Sequence, residues 1–444
     1  MLLSVLALSA AIAALLLLVL RFRLPAFLAL LLVSVAFGGA LGMDGRALLA
    51  SIQLGMGSTL GFVAVVVGLG AMFGALLEYA GGIRAIADRL LHAMGERRAT
   101  GALGLIGFVV AIPVFFDVAF ILLVPLIHRL AVRSARSTTY YAIPLLAGLA
   151  VAHAFIPPTP GPIAVANLVG ASLGWVTAFG VLCGLPAMLV AGPLFARRFR
   201  ALPPPPATDV LSDADDASMQ SAPVSFAAAL FAVLMPLVLI VCNTLGQALL
   251  PAGPFVDALA FIGHPFIALL LACLYAWIWF GRRRKIPAVQ LREIMTRALE
   301  PAGIVVLVTG AGGVFKQVLV DSGVGPQLGA ALGEQAIPIL PLAFFIAAVI
   351  RVAQGSATVA MIAGAGLIAP LVEAVALSPP HTALVVVAIA AGATVASHVN
   401  DSGFWLVNRY LQQSERETLA SWTVCSTLVG TVGFAMSGVL WLVF

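Results

Sequence analysis

Charge is what this sequence has least of: Lys, Arg, Asp and Glu together make up 9% of its 444 residues, while 62% are hydrophobic. A soluble globular surface needs far more charge, so water is excluded as the main solvent of this chain. Cysteine is scarce as well. Cys183, Cys242, Cys273 and Cys425 are far apart, each inside an apolar run, with no CxxC pair, and they read as packing residues, not as a disulfide framework or metal centre. No HExxH or comparable spacing occurs, so neither a metal nor another cofactor is expected. Long polar stretches are missing with one exception, which leaves no extramembrane domain large enough to be an enzyme by itself. The formal net charge of +5 sits in short clusters between apolar runs, the pattern of cytoplasmic loops and not of a nucleic-acid partner. The first segment, Leu2 to Leu20, lacks a positive n-region and is followed by Arg21-Phe22-Arg23, as in a retained span and unlike a cleaved signal.

What the sequence does have is apolar length. About ten stretches, recurring from Leu2 to Phe444, are long enough to cross a hydrocarbon core of about 30 Å in a lipid bilayer. The expected fold class is an all-α polytopic membrane protein. The one polar exception, Pro203 to Ala222, holds four consecutive prolines and then Asp209, Asp213, Asp215 and Asp216. It reads as a cytoplasmic linker, dividing the chain into a first transmembrane repeat (1–200), the linker (201–222) and a second repeat (223–444).

The halves look alike. Gly68 to Gly81 lines up with Gly310 to Gly323, and Ala147 to His153 lines up with Ala391 to Ser397 at nearly the same offset, which suggests an internal duplication. Arginines orient the copies: Arg21 and Arg23, the Arg84 to Arg98 loop, Arg133 with Arg136, and Arg197 to Arg200 all belong inside. Gly57 to Tyr79 then runs outside to inside. In the second half Ser225 to Leu250 goes out, Ala258 to Phe280 returns to the Arg282 to Lys285 cluster, and Pro301 to Val320 runs inside to outside, ahead of an arginine-free loop from Asp321 to Ala336. Equivalent segments therefore run in opposite directions, giving two inverted-topology repeats, as in secondary transporters. In each half one stretch is too broken for a plain span, Gly101 to Pro125 and Gln354 to Pro370, and each is a candidate re-entrant hairpin. Irregular backbone at membrane depth is tolerated only where it is buried in protein or lines a wet cavity.

Most candidate site residues lie in hairpins or in broken transmembrane helices. Gly355, Ser356 and Thr358 place two hydroxyls beside a flexible glycine, where a helix N-terminus would attract an anion; the alternative is a kinked helix with back-bonded hydroxyls. Asp117 puts a carboxylate in an apolar stretch and is the first candidate for proton coupling, the alternative being an ion pair, for example with Arg351. His153 to Pro162, including Thr159, and Ser397 to Gly403, with Asn400 and Asp401 as partners for substrate hydroxyls, occupy equivalent places in the halves. His153 and His398 are balanced between substrate or proton roles and structural ones. Lys316 and Arg351 could attract a carboxylate, snorkel or pair with an acid. Ser58 and Thr59, in a Gly-rich segment, complete the set.

Gly57-Ser-Thr-Leu-Gly61, Phe155-Ile-Pro-Pro with Pro160-Gly-Pro162, Phe315 to Gly323, Gly355-Ser-Ala-Thr-Val-Ala360 and Ser397-His-Val-Asn-Asp-Ser-Gly-Phe-Trp405 together resemble the gluconate permease family of proton symporters, within the wider ion-transporter group. The resemblance covers the chain from about residue 10 to its end. It implies uptake of gluconate or a related sugar acid across a bacterial inner membrane, driven by protons, by a homodimer whose transport domain carries both hairpins past a scaffold. Relatives often read Pro-Pro-His-Pro where this chain has Pro-Pro-Thr159-Pro, and some carry Glu at Asp117; both departures bear on substrate preference and coupling. The competing classes are a carrier of another small hydroxycarboxylate, sodium coupling, a passive channel, which would never exceed equilibrium, and an intramembrane enzyme, which would form product without a gradient and for which no nucleophile and base pair is recognisable.

Overall fold

Where no water competes for backbone hydrogen bonds, an apolar chain satisfies its own N–H and C=O groups by coiling into helices. The computed structural model describes residues 10–11, 13–15, 17–18, 21–95, 98–202, 224–281, 286–323, 338–399 and 401–444, and its regular elements there are all helical. Seven helices among the described residues are long and apolar enough to cross a membrane, or eight if one bent pair counts as a single span. The remaining apolar elements are shorter than the sequence suggested, because several expected spans are interrupted.

The first half runs α1 (Ala26–Ala40), α2 (Gly45–Tyr79), α3 (Gly82–Met94), α4 (Ala99–Val110), α5 (Phe116–Ser134), α6 (Thr138–Phe155), α7 (Pro160–Val169) and α8 (Leu173–Leu189). The second runs α9 (Phe226–Leu249), α10 (Pro254–Ile262), α11 (Pro265–Tyr275), α12 (Ala288–Arg297), α13 (Leu299–Asp321), α14 (Ile339–Gln354), α15 (Ala357–Val375), α16 (Pro379–Gly392), α17 (Ser402–Tyr410) and α18 (Val424–Trp441). One order of elements occurs twice: a long helix (α2, α13), two arms joined at a break (α4–α5, α14–α15), a helix interrupted partway (α6–α7, α16–α17) and a closing helix (α8, α18). The copies interleave. α2 packs along α13, α8 against α18, and α7 against α15, while within the halves α4 lies on α6 as α14 lies on α16. The expected linker falls outside the described residues apart from Ala201 and Leu202, as do Arg282 to Lys285 and most of the Asp321 to Ala336 loop.

Three expected boundaries move, each for a local reason. α2 does not start at Gly57 but at Gly45, because the Asp44 side chain accepts from the N–H groups of Arg46 and Ala47 at 2.9 and 3.0 Å, an N-cap that commits the chain to helix earlier. The expected span from Ala258 to Phe280 is bent by 58° between α10 and α11, since Pro265 offers no N–H to continue the ladder and disfavours helical geometry at His264. The second hairpin does not begin at Gln354. Gln354 is at its tip: α14 is the first arm, Gly355 ends it in the left-handed region at φ 87°, where only glycine sits without strain, and α15 continues through Pro370. In the first half the arms α4 and α5 both pack on α6, and Pro125 lies inside α5.

α6 and α16 are buried along nearly their whole length, so the core is built around the two interrupted helices. Contact with the arms is backbone-close. A Cβ on Gly148 of α6 would lie 2.0 Å from the carbonyl oxygen of Gly104 on α4. Gly148→Ala is therefore expected to lower stability by about 1–3 kcal/mol, seen as a drop in melting temperature in detergent, whereas Gly57→Ala, with nothing within 4 Å of the added carbon, should melt like the native chain.

Candidate functional site

Four helix interruptions meet at the centre of the molecule: between α4 and α5, α6 and α7, α14 and α15, and α16 and α17. Between the start of α5, the end of α6, the α14–α15 tip, the start of α17 and the first turns of α13 lies a cavity of about 670 Å³, within the usual range for small-molecule sites. Of the residues picked from sequence, Asp117, His153, Arg351, Gly355, Ser356, Thr358 and Asp401 line it.

Thr159 faces a separate pocket of about 20 Å³ that shares His153, large enough for a single water; its hydroxyl donates to the Ile156 carbonyl at 2.6 Å. The others lie elsewhere. Ser58 is exposed on α2, and Thr59 is buried there facing Gly313 of α13. Lys316 sits 3.9 Å from the Glu373 carboxylate at the end of α15. The His398 ring is 3.0 Å from the Val352 carbonyl. Asn400 is outside the described residues.

Three helix N-termini point into the cavity, those of α5, α15 and α17, each a source of free N–H groups and positive dipole. Two are matched by an acid. Asp117 occupies the first turn of α5, and Asp401 caps α17, accepting from the Gly403 N–H at 3.1 Å. The α15 terminus has no acid in its first turn. Ser356 caps it by accepting from the Val359 N–H at 3.4 Å, and Thr358 adds a hydroxyl beside it. An anionic group arriving in this cavity finds its unneutralised positive end there.

The cation next to that end is Arg351, 3% exposed. Its Nη atoms donate to the Gly355 carbonyl and to Oδ2 of Asp401. The same carboxylate oxygen accepts from the Ser397 hydroxyl, which in turn accepts from Trp422 Nε1 at 2.6 Å. A chain of bonds thus runs from the hairpin tip through α14 and the α16–α17 break to the segment leading into α18. Arg351 pairs with Asp401 and not with Asp117, whose carboxylate forms no hydrogen bond or ion pair among the described residues. Sequence reasoning passed over Gln354, Thr394, Trp422 and Ser426, which also line the cavity. Ser421, Thr423, Ser426 and Thr427 form a hydroxyl cluster in an otherwise apolar helix, the signal that could have drawn attention to it. No group of three or more His, Cys, Asp or Glu among the described residues could hold a metal ion.

Comparison with known proteins places this architecture. The chain matches the GntP family permeases over residues 1–443. It is 43% identical to the low-affinity gluconate transporter of Escherichia coli K12 over 94% of both chains. It is 40% identical to a gluconate permease of Pseudomonas aeruginosa over 94% of this chain and 93% of that one, and 38% identical to the Gnt-II system L-idonate transporter of E. coli K12 over 96% of both. Among solved structures, the YdaH transporter of Alcanivorax borkumensis shares the fold, with a TM-score of 0.64 at 18% identity over 95% of this chain and 98% of that one. These relatives are transporters and permeases, not enzymes.

Proposed function

This chain belongs to the GntP permease family, and on that premise we propose that it carries gluconate or a closely related sugar acid into the cell by proton symport. The observation that carries the reading is the acid-free N-terminus of α15 beside buried Arg351, opening on a cavity that also exposes an unpaired carboxylate, Asp117. Substrate carboxylate meets the α15 N–H groups, with Ser356 and Thr358 donating to it; Asp401 acts by holding Arg351 in place. An anion entering beside an ionised Asp117 is repelled, so substrate and a proton on Asp117 favour one another. The relatives named for gluconate and L-idonate support an aldonate as cargo. We place the protein in the bacterial inner membrane as a homodimer. The hairpin arms and interrupted helices, packed backbone to backbone, move as one body against the long helices α2 and α13.

Labelled gluconate offered to proteoliposomes under an inward proton gradient is expected to accumulate above equilibrium and to leak back on adding a protonophore. Equilibration without accumulation removes the symport. No movement of gluconate, with another acid transported, removes the substrate assignment.

A further inference from the structure

Three buried side-chain atoms are left without a hydrogen-bond partner among the described residues: Nδ1 of His153, Nε of Arg351 and Oε1 of Gln354. All three residues line the central cavity. Buried polar atoms are almost always satisfied, so orphans on three residues that line one cavity point to partners its occupant supplies once these side chains turn towards it. The Arg351 N–H needs an acceptor, the Gln354 carbonyl needs a donor, and the His153 nitrogen takes either according to its tautomer. Each Nη atom of Arg351 already has a partner, Gly355 or Asp401, which leaves Nε as the guanidinium nitrogen with none.

A carboxylate answers only half of this demand, because it accepts and cannot donate. Gln354 stands three residues after Arg351 on α14, so the two side chains are neighbours on one helical face. The donor that satisfies Gln354 must therefore lie close to the carboxylate that satisfies Arg351. A hydroxyl on the carbon next to the carboxylate is in that place. It both donates and accepts, so it serves the amide whichever way its oxygen and nitrogen are turned. A glutamine whose task was to cap the end of α14 would donate its amide N–H to a carbonyl of the last turn, and the Gln354 side chain forms no such bond among the described residues.

We propose that Gln354 reads the hydroxyl on the carbon adjacent to the substrate carboxylate, so that the cavity selects 2-hydroxycarboxylates. The inference rests on the reading of this cavity as the substrate site, but not on gluconate as the cargo. A site that commits a buried amide to one hydroxyl rejects analogues lacking it, since the amide is then stranded.

Binding is read as thermal stabilisation of the detergent-solubilised full chain over a concentration series of each acid. The acids are two matched pairs, gluconate with 2-deoxygluconate and glycerate with 3-hydroxypropanoate. The native chain is expected to bind the 2-hydroxy member of a pair at least about tenfold more tightly. Gln354→Leu is expected to abolish that difference by weakening the 2-hydroxy acid, while the deoxy acid, which no longer strands an amide, binds as tightly as to the native chain or more tightly. Equal affinities within both pairs, or no binding by any of the four acids, overturn the proposal, and this arm needs only the native protein. Equal weakening of both members by Gln354→Leu also overturns it, since that is what a structural role would give. Should the glycerate pair discriminate while gluconate does not bind, the role of Gln354 stands and the gluconate assignment falls.

Discussion

Arg351→Ala is expected to abolish gluconate uptake and to destabilise the folded chain by about 3–5 kcal/mol, the usual consequence of removing one partner from a buried ion pair. The guanidinium and the Asp401 carboxylate expose only 4% and 11% of their side chains. Removing the cation leaves the nearly buried carboxylate with only the Ser397 hydroxyl and the Gly403 N–H as partners, and it also takes the donor from the Gly355 carbonyl at the hairpin tip. Melting temperature in detergent reads the structural part, and exchange of labelled gluconate reads the functional part. The double variant Arg351→Ala, Asp401→Ala separates them: with both charges gone, most of the lost stability should return while exchange stays absent. If the double variant exchanges gluconate like the native chain, Arg351 takes no part in holding the anion.

Asp117→Asn is expected to reduce proton-driven uptake to simple equilibration while leaving gluconate exchange within a few-fold of native. The side chains are nearly the same shape, and Asp117 makes no bond within the described structure whose loss would disturb the fold. What changes is charge. Two like charges about 6 Å apart repel by roughly 3 kcal/mol at an effective dielectric near 20, a factor of about a hundred in affinity. In the native chain that repulsion is relieved when a proton binds, so gluconate affinity should weaken as pH rises. In the variant the slope should be flat. Equal loss of accumulation and exchange would show that Asp117 is needed for binding or folding and does not carry the proton.

The parts of this arrangement legible in sequence were those signalled locally. Gly355 followed by Ser356 announced a helix end and a new cap, and the prolines from Pro157 to Pro162 announced the break after α6. The extent of α14 was not legible, because Ile339 to Gln354 reads as one more apolar run until its turn is seen. Nor was the partner of Arg351. Its neighbours in sequence are apolar, and only the approach of the α14–α15 tip to the α16–α17 break brings Asp401 to it and leaves Asp117 alone. The role of Trp422 was hidden for the same reason, since its link to Asp401 runs through Ser397, a pairing of distant segments that no local pattern encodes. Ser58, Thr59 and Lys316 drew attention by composition, yet none lines the cavity: Ser58 and Thr59 sit on α2, and Lys316 lies about two turns along α13 beyond Val308, the last residue of that helix in the cavity wall.

In the proposed symport, the pairing of Arg351 with Asp401 also bears on how the membrane voltage acts on each half of the cycle. Among the charged residues lining the cavity the pair cancels, so the empty form carries the single negative charge of Asp117. With Asp117 protonated and a monovalent sugar acid on board, the total is again one negative charge. Moving one charge through a full potential of 100 mV involves about 2.3 kcal/mol, and here that amount is the same for the loaded journey inward and the empty journey back. Over a complete cycle the two electrical terms cancel, and a carrier built this way, taking one proton per anion, runs on the pH difference alone.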